Sequence, residues 1–512
     1  MNLFQAIFSN TPCSVAIDFG DRQITYDELR SETLRHAQVL STLGVAPGER
    51  VALLLHDSPE WIAAFIAICS FGAIAVPINM ALPAEEHCSI LNNSGARSAI
   101  VENDIRSRLL TIAPEKLHQL KDVIGVDRKR SEEGSTLQQL LLEASKASLP
   151  EFADPTETQP AFILYTSGST GEPKGAVHRQ ADIFHTNATF CREVLRLTPE
   201  DRLFSSSRLP FAYGLGNSLT FPLLNSATSI LCLEKPTPEV ISQMFSQRHP
   251  TIFFGVPVVY NLLLEHHRSG KTLDCSSLRL CISAGEALPA HLGEEWEKEF
   301  GVQLLDGIGS TEMLHMFMSN HDGDLRYGTS GKLLAGYEAR LLTETGEVGI
   351  GEEGQLWIKG NSAAMRYWEK PEESKRTFVD GWVRTGDLYK RDADGYWTHM
   401  GRSDDCFKSS GKWVSPIEVE GVLLRSKEVV RVAVVEDFDA NGLPGACAFV
   451  VCKELESDLA RVEQKLRELA ANALPRFKQP RRYMFVQELP YTVTGKIQRF
   501  KLRQELKREH EK

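Results

Sequence analysis

Between Val51 and Ile78 the chain reads VALLLHDSPEWIAAFIAICSFGAIAVPI. The apolar run that begins at Trp61 meets Pro77 before the ~20 residues that a membrane span requires. Asp57-Ser58-Pro59 is a helix start, so the stretch reads as a buried strand, a helix and a second buried strand. Strands that are apolar on both faces need helices on both sides, and that forces a parallel βαβ arrangement. The same texture returns at SAIVEN from Ser98, AFILYT from Ala161, SILCLE from Ser229, TIFFGVP from Thr251 and LRLCISAGE from Leu278. More than one α/β sheet is therefore expected. From Gly331 the pattern changes to alternating apolar and polar residues with Asp-Gly turns, which predicts short antiparallel strands. The last segment, from about Asp404, reads as a small α+β unit, with helices at EVEGVLLRS and DLARVEQKLRELAANAL and strands at VVRVAVVED and ACAFVVC.

Composition narrows the class. At roughly 150 residues per domain, 512 residues suggest about three folding units. A formal charge of −11 argues against a nucleic-acid binder, because phosphate backbones need a basic face. The basic tail RFKLRQELKREHEK is expected to be one face of a solvated helix. Ten cysteines without a C-x-x-C pair or zinc spacing, and no signal-peptide pattern, point to a reduced cytoplasmic protein with no membrane partner.

After AFILYT comes YTSGSTGEPKG, Tyr165–Gly175. Successive amides in such a turn make a concave anion nest, and the lysine adds positive charge. It is not the G-x-x-x-x-G-K-[ST] phosphate loop, because Pro173 precedes Lys174 and Gly175 follows it. Composition alone equally describes a surface loop. Three further segments carry polar residues between glycines: DGIGSTEM at Asp306, RTGDLYKRDADGYWTHMGRSDD at Arg384 and PYTVTGKIQR at Pro490. Each has an ordinary reading as a helix cap, a surface ion pair or a solvated lysine.

Together, in this order, the four segments resemble the adenylate-forming superfamily of acyl- and aryl-CoA ligases, luciferases and peptide-synthetase adenylation domains, over essentially the whole chain. The resemblance implies an α/β fold. Its large N-terminal domain, 1–403, would hold two α/β sheets and a small β-barrel. A small mobile α+β C-terminal domain, 404–512, would turn about a hinge at Asp404. It implies that a carboxylate attacks the α-phosphate of ATP, giving an acyl-AMP and pyrophosphate, before a thiol takes the acyl group. Thr166, Ser167, Gly168, Ser169, Thr170, Gly171 and Lys174 would grip the β- and γ-phosphates. Thr311 would contact the α-phosphate and Glu312 would hold Mg²⁺. Gly285, Glu286 and Ala287 would line the base, with Gly307, Ile308 and Ser310 beside the nucleotide. Asp306 would receive the adenine amino group, and Asp387 and Arg402 would meet the ribose. Lys496 would bridge the carboxylate and the α-phosphate.

RLPFAYGLGNSLTFPL at Arg208 and DGIGSTEMLHMFMSN at Asp306 are similar to the benzoate–CoA ligase type within that superfamily. This implies an aryl pocket of Phe211, Ala212, Tyr213, Ala284, Gly309, Met316 and His321. A glycine-floored slot with an aromatic wall suits a planar ring. Phe211 and Met316 equally suit a core, and His321 a surface. Benzoate, 2-aminobenzoate and hydroxybenzoates remain open as the acid. Coenzyme A is the expected acceptor, with Ser410 and Gly411 lining its channel, Phe477 stacking on its adenine, and Lys478 and Arg481 facing its phosphates. A carrier-protein phosphopantetheine is the alternative. The expected assembly is a monomer or homodimer.

Overall fold

The run that begins at Trp61 is a helix, Pro59–Phe71, between parallel strands Arg50–Leu54 and Ile74–Pro77. Ser58 caps it by accepting from the Trp61 N–H, Pro59 supplies the first turn, and Gly72 ends it at φ 86°. Every residue from Trp61 to Ser70 is buried, so the segment is a core helix. The computed structural model describes residues 2–9, 14–112, 116–126, 137–144, 152, 154–166, 173–439, 442–453, 458–491 and 497–510. Among them no helix is long and apolar enough to cross a membrane.

That βαβ unit belongs to a six-stranded sheet ordered 122–126, 98–102, 50–54, 74–77, 162–166, 174–178. All neighbours are parallel except the last pair, where Lys174–His178 returns antiparallel to Phe162–Thr166. A nine-stranded sheet contains Arg202–Ser205, Ile252–Gly255, Leu280–Ser283 and Leu304–Gly309 as parallel neighbours. It is closed on one flank by antiparallel Met316–Ser319. The strands between Tyr337 and Arg402 pair as a third, six-stranded sheet, a half-barrel where a small barrel is expected.

The chain divides into two compact units. The first comprises 1–339 and 358–384, and the second 340–357 and 385–512. In the second, strands Val429–Phe438, Pro444–Cys452 and Arg482–Phe485 form a sheet. Helices Pro416–Leu423 and Leu459–Ala473 contribute Val419, Leu423, Val462 and Leu466 to one core with it, and Leu502 and Leu506 of helix Arg499–His510 pack in another.

Candidate active site

Strand Leu304–Gly309 is the last of the parallel run, and the chain must reverse within a few residues to pair back as Met316–Ser319. Ser310 starts the reversal by capping one 3₁₀ turn, Thr311–Met313, its hydroxyl accepting from the Met313 N–H at 3.2 Å. The His315 N–H then donates to the Met313 carbonyl at 2.8 Å across Leu314, at φ 65° and ψ −40°. This is a γ-turn of the rare positive-φ form, a conformation that costs a non-glycine residue ~1–3 kcal/mol. Gly309 is required beside it, because a Cβ there would sit 2.5 Å from the His315 carbonyl oxygen. The strained turn separates two chemically different neighbourhoods, one around Thr311 and Glu312 and one around His315 and Met316.

On the first side, the Tyr367 hydroxyl donates to Glu312 Oε1 at 2.7 Å, and Ala364 N–H holds the Glu312 carbonyl at 2.7 Å. Glu312 Oε2 carries no hydrogen bond among the described residues. Lys174 opens its strand opposite Thr166, and its ammonium lies 5.7 Å from the centre of the Tyr367 ring. The Thr311 carbonyl accepts from His178 Nε2 at 2.8 Å, while His178 Nδ1 meets Asp182 at 2.9 Å. The ring is fully buried, held between that carbonyl and that carboxylate. Arg179 completes the pair, donating to Asp182 at 2.9 Å. Ser167, Gly168, Ser169, Thr170 and Gly171 of the expected grip, and Lys496, lie outside the described residues.

Asp306 is buried, with Leu288 N–H donating to Oδ2 at 3.4 Å and Oδ1 left without a partner among the described residues. Burial drives its carboxyl well above the usual carboxylate range, against the pull of the Leu288 and Gly307 amides and the Ser283 hydroxyl. An orphaned buried acceptor fits an N–H donor such as an exocyclic amine. Gly285, at φ 92°, and Glu286 are exposed in the loop before Leu288, with Ala287 half-buried. Gly307 is buried and Ile308 half-buried on the Asp306 strand.

On the second side, Phe211 caps a helix that begins at Ala212 and widens into a π-helix over Gly216–Thr220. Gly216 lets His315 approach, since a Cβ there would lie 2.4 Å from the His315 ring. The Tyr213 hydroxyl donates to the Ile282 carbonyl at 3.2 Å, at the carboxyl end of a parallel strand where ligands of α/β sheets bind. Tyr213 and His315 rings lie 5.5 Å apart, with Phe221 4.6 Å and Phe190 5.0 Å from the histidine. His315 Nε2 donates to Asn217 Oδ1 at 3.2 Å, and Nδ1 is buried without a partner among the described residues. Burial lowers its pKa to about 3, so the ring is neutral. Ala284 is buried just past its strand, and buried Met316 packs its sulfur over Gly307.

His321 is elsewhere. Met316–Ser319 runs antiparallel, with Ser319 opposite Gly307, so two residues further on the chain has returned toward the amino end of the parallel strands. His321 is half-buried there, with Glu193, Asp324 and Arg196 as charged neighbours. Its place among the aromatic rings is taken by His315, which sequence reasoning passed over although it sits beside Met316. Asn217, Tyr367 and His178 were missed as well.

In the second unit, Asp387 pairs across strands with Arg402, whose Nη1 lies 3.2 Å from Asp387 Oδ1, and His399 Nε2 lies 3.4 Å from the same oxygen. Burial pushes the Asp387 carboxyl up, but His399 and Arg402 together outweigh it and hold the group below its usual range. Oδ2 has no hydrogen-bond partner among the described residues. Ser410 and Gly411, both at positive φ, form the exposed two-residue turn between Phe407–Ser409 and Lys412–Val414. Phe477 is half-buried with the Lys412 ammonium 5.3 Å from its ring. Lys478 is buried against Glu418, and Arg481 is paired with Asp439 at 3.1 Å. Both cations expected to meet phosphates are thus committed to carboxylates, whereas Lys412 has no carboxylate partner among the described residues. Asp404 is exposed.

Comparison with known proteins agrees with this geometry. The description "AMP-binding enzyme" matches residues 4–368, and "AMP-binding enzyme C-terminal domain" matches 418–496. The chain is 41% identical to the benzoate–CoA ligase of Thauera aromatica, over 94% of this chain and 90% of that one. Among solved structures, the anthranilate CoA ligase AuaEII in complex with anthranoyl-AMP superposes with a TM-score of 0.91 at 36% identity, covering 99% of this chain and 97% of that one. A benzoate CoA ligase from Burkholderia xenovorans LB400 gives 0.87 at 37% identity, covering 98% and 100%.

Proposed function

We propose, from the premise that this chain belongs to the AMP-binding (adenylate-forming) enzyme family, that it is an ATP-dependent aryl acid–CoA ligase. The observation that carries the reading is the aromatic slot of Tyr213 and His315 beside the Thr311–Glu312 turn. The acid, benzoate or a ring-substituted benzoate such as 2-aminobenzoate or a hydroxybenzoate, attacks the α-phosphate of ATP and expels pyrophosphate. The thiol of coenzyme A then attacks the aryl carbonyl and AMP leaves.

The residues divide this labour. Tyr213, His315, Ala284, Gly309 and Met316 bound the ring, and neutral His315 adds no charge to a slot meant for a ring. Thr311 approaches the α-phosphate, with its backbone fixed by His178. Asp306 offers its orphaned oxygen to the adenine amine. Asp387 offers Oδ2, with Arg402, to the ribose hydroxyls. The loop from Thr166 to Lys174 takes the departing pyrophosphate. Lys496 stabilises the charge shared by carboxylate and α-phosphate. Asp404 is the hinge between the two half-reactions, about the boundary between 1–403 and 404–512. Coenzyme A meets Ser410, Gly411 and Phe477.

Glu312 fits Mg²⁺: one hard carboxylate oxygen carries no hydrogen bond among the described residues and would hold the ion together with the oxygens of the nucleotide. Among the described residues no cluster of three or more His, Cys, Asp or Glu offers a fuller cage. The ion would neutralise charge between two anionic reactants.

A panel of benzoates in acid-dependent ATP–pyrophosphate exchange, followed by aryl-CoA formation, tests the proposal. Exchange without any CoA product, together with loading of a phosphopantetheinylated protein, would move it to the carrier-loading alternative. No exchange with any aromatic acid would end it.

A further inference from the structure

We propose that Tyr367 is a positioning residue for the metal-bearing carboxylate, an inference that rests on reading Glu312 as the Mg²⁺ ligand. The ring cannot swing away. It is 6% exposed, its N–H donates to Ser374 Oγ at 2.9 Å, and its backbone bridges Ala176. The next residue, Trp368, donates to the Gly175 carbonyl at 2.7 Å, and Phe378 packs edge-on at 5.2 Å. Tyr367 is therefore tied by its backbone to the strand that begins at Lys174, and it reaches Glu312 from there.

Its chemistry suits the task in two ways. A phenol hydroxyl orients Oε1 with a 2.7 Å hydrogen bond but brings no charge. An arginine or lysine in its place would cancel the carboxylate and compete with a cation for it. The ring also gives Lys174 an alternative to an ion pair. The ammonium rests 5.7 Å from the ring centre, held by the negative face of the π-system. Lysine and glutamate stay apart, the first available to phosphate oxygens and the second to metal. Tyr367 thus couples the anion loop to the metal carboxylate without letting them neutralise each other.

Outer-shell partners of metal ligands are typically worth 10–100-fold in metal affinity or activity. Tyr367→Phe removes only the hydroxyl, so the fold and the lysine platform remain, which thermal melting will check. Mn²⁺ titrated onto the ATP-bound enzyme and followed by electron paramagnetic resonance should bind about tenfold more weakly. The Mg²⁺ needed for half-maximal ATP–pyrophosphate exchange should rise in parallel, with the KM of the aryl acid unchanged. A Mn²⁺ titration that superimposes on that of the unaltered protein would overturn the inference, even if turnover fell. Wild-type protein that binds Mn²⁺–ATP but exchanges no pyrophosphate with any acid would instead sink the proposed function, leaving Tyr367 to be judged on the titration alone.

Discussion

Two neighbourhoods meet at the turn from Ser310 to His315, and they are built by opposite rules. Around Glu312 the holding groups are charged or strongly polar: the His178–Asp182 pair, Arg179, the Tyr367 hydroxyl and Lys174. Around His315 they are rings and glycines, with one neutral amide, Asn217, fixing the imidazole. The first suits a ligand with several negative charges, where preorganised dipoles need not reorganise as charge moves. The second suits a flat apolar ring, whose binding gains from excluded water. On the proposed function, a carboxylate attached to that ring would be delivered to the boundary, where the anhydride with phosphate would form. Positioning across such a boundary is where catalysis gains most, and a misplacement of about 1 Å can cost ~10²-fold.

The largest predicted effect comes from breaking both sides at once. Gly309→Ala would drive a methyl into the His315 carbonyl, a backbone atom that no rotamer change can move. Exchange should fall at least ~10²-fold for every acid, with KM for acid and for ATP both disturbed. A change in one KM alone would show that the two neighbourhoods are not joined through this turn. Glu312→Gln should damage only the charged side. It keeps the shape and the Tyr367 hydrogen bond but loses the charge, and kcat of exchange should drop ~10²-fold with the acid KM retained. His315→Leu should damage only the ring side. It should cost ~10–100-fold in kcat/KM for aromatic acids and leave the ATP KM alone. Equal penalties on ATP and acid in either variant would contradict the division.

Much of this was legible in the chain. The strand runs at Val51, Ser98, Ala161, Thr251 and Leu278 were apolar on both faces, and each lies in a parallel ladder. Motif order pointed to the family, which the matches to 4–368 and 418–496 bear out. What stayed hidden were partnerships without local periodicity. Tyr367 meets Glu312 across 55 positions, and His178 meets Thr311 across 133. The basic stretch at Lys478 and Arg481 read as available for phosphates because Glu418 and Asp439 are 60 and 42 positions away. The resemblance points to His321 and not to His315, and the antiparallel register that returns His321 toward the far end of the sheet is not visible in the segment alone.

The contrast also has a pH signature. An unfolded histidine takes its proton near pH 6.5, whereas His315 in the fold holds out to about 3 because of burial. Above pH 6.5 neither state is protonated and stability is unaffected. Below it the unfolded chain gains a proton that the native state refuses, so stability is lost as pH falls from 6.5 toward 3. The slope from this one group is at most ~1.4 kcal/mol per pH unit. Asp306 acts oppositely, since its raised native pKa gives stability at low pH that is lost as pH rises above the unfolded carboxylate value. Urea denaturation at a series of pH values should therefore show a shallower acid limb for His315→Gln. An unchanged slope would mean that His315 is not kept neutral by its surroundings.

The smallest effect should be at Met316, where the ring side meets the strand that carries Asp306. The side chain is buried, and its sulfur lies over Gly307, near enough that a Cβ there would come within 3.0 Å. A thioether on three rotatable bonds can shift to admit a substituent on the acid's ring, whereas a β-branched side chain cannot. Met316→Ile nearly conserves volume, so its cost in stability should be under about 1.5 kcal/mol. The charged side should not sense it, leaving the KM of ATP and the Mg²⁺ requirement as they were. Activity on unsubstituted benzoate should change by no more than about threefold, while kcat/KM for 2- or 3-substituted benzoates should fall by ~10-fold, the scale of one methylene in a pocket. Equal treatment of substituted and unsubstituted acids would place Met316 in the supporting core, and the choice among ring-substituted acids would then fall to the helix that bears Tyr213 and Asn217.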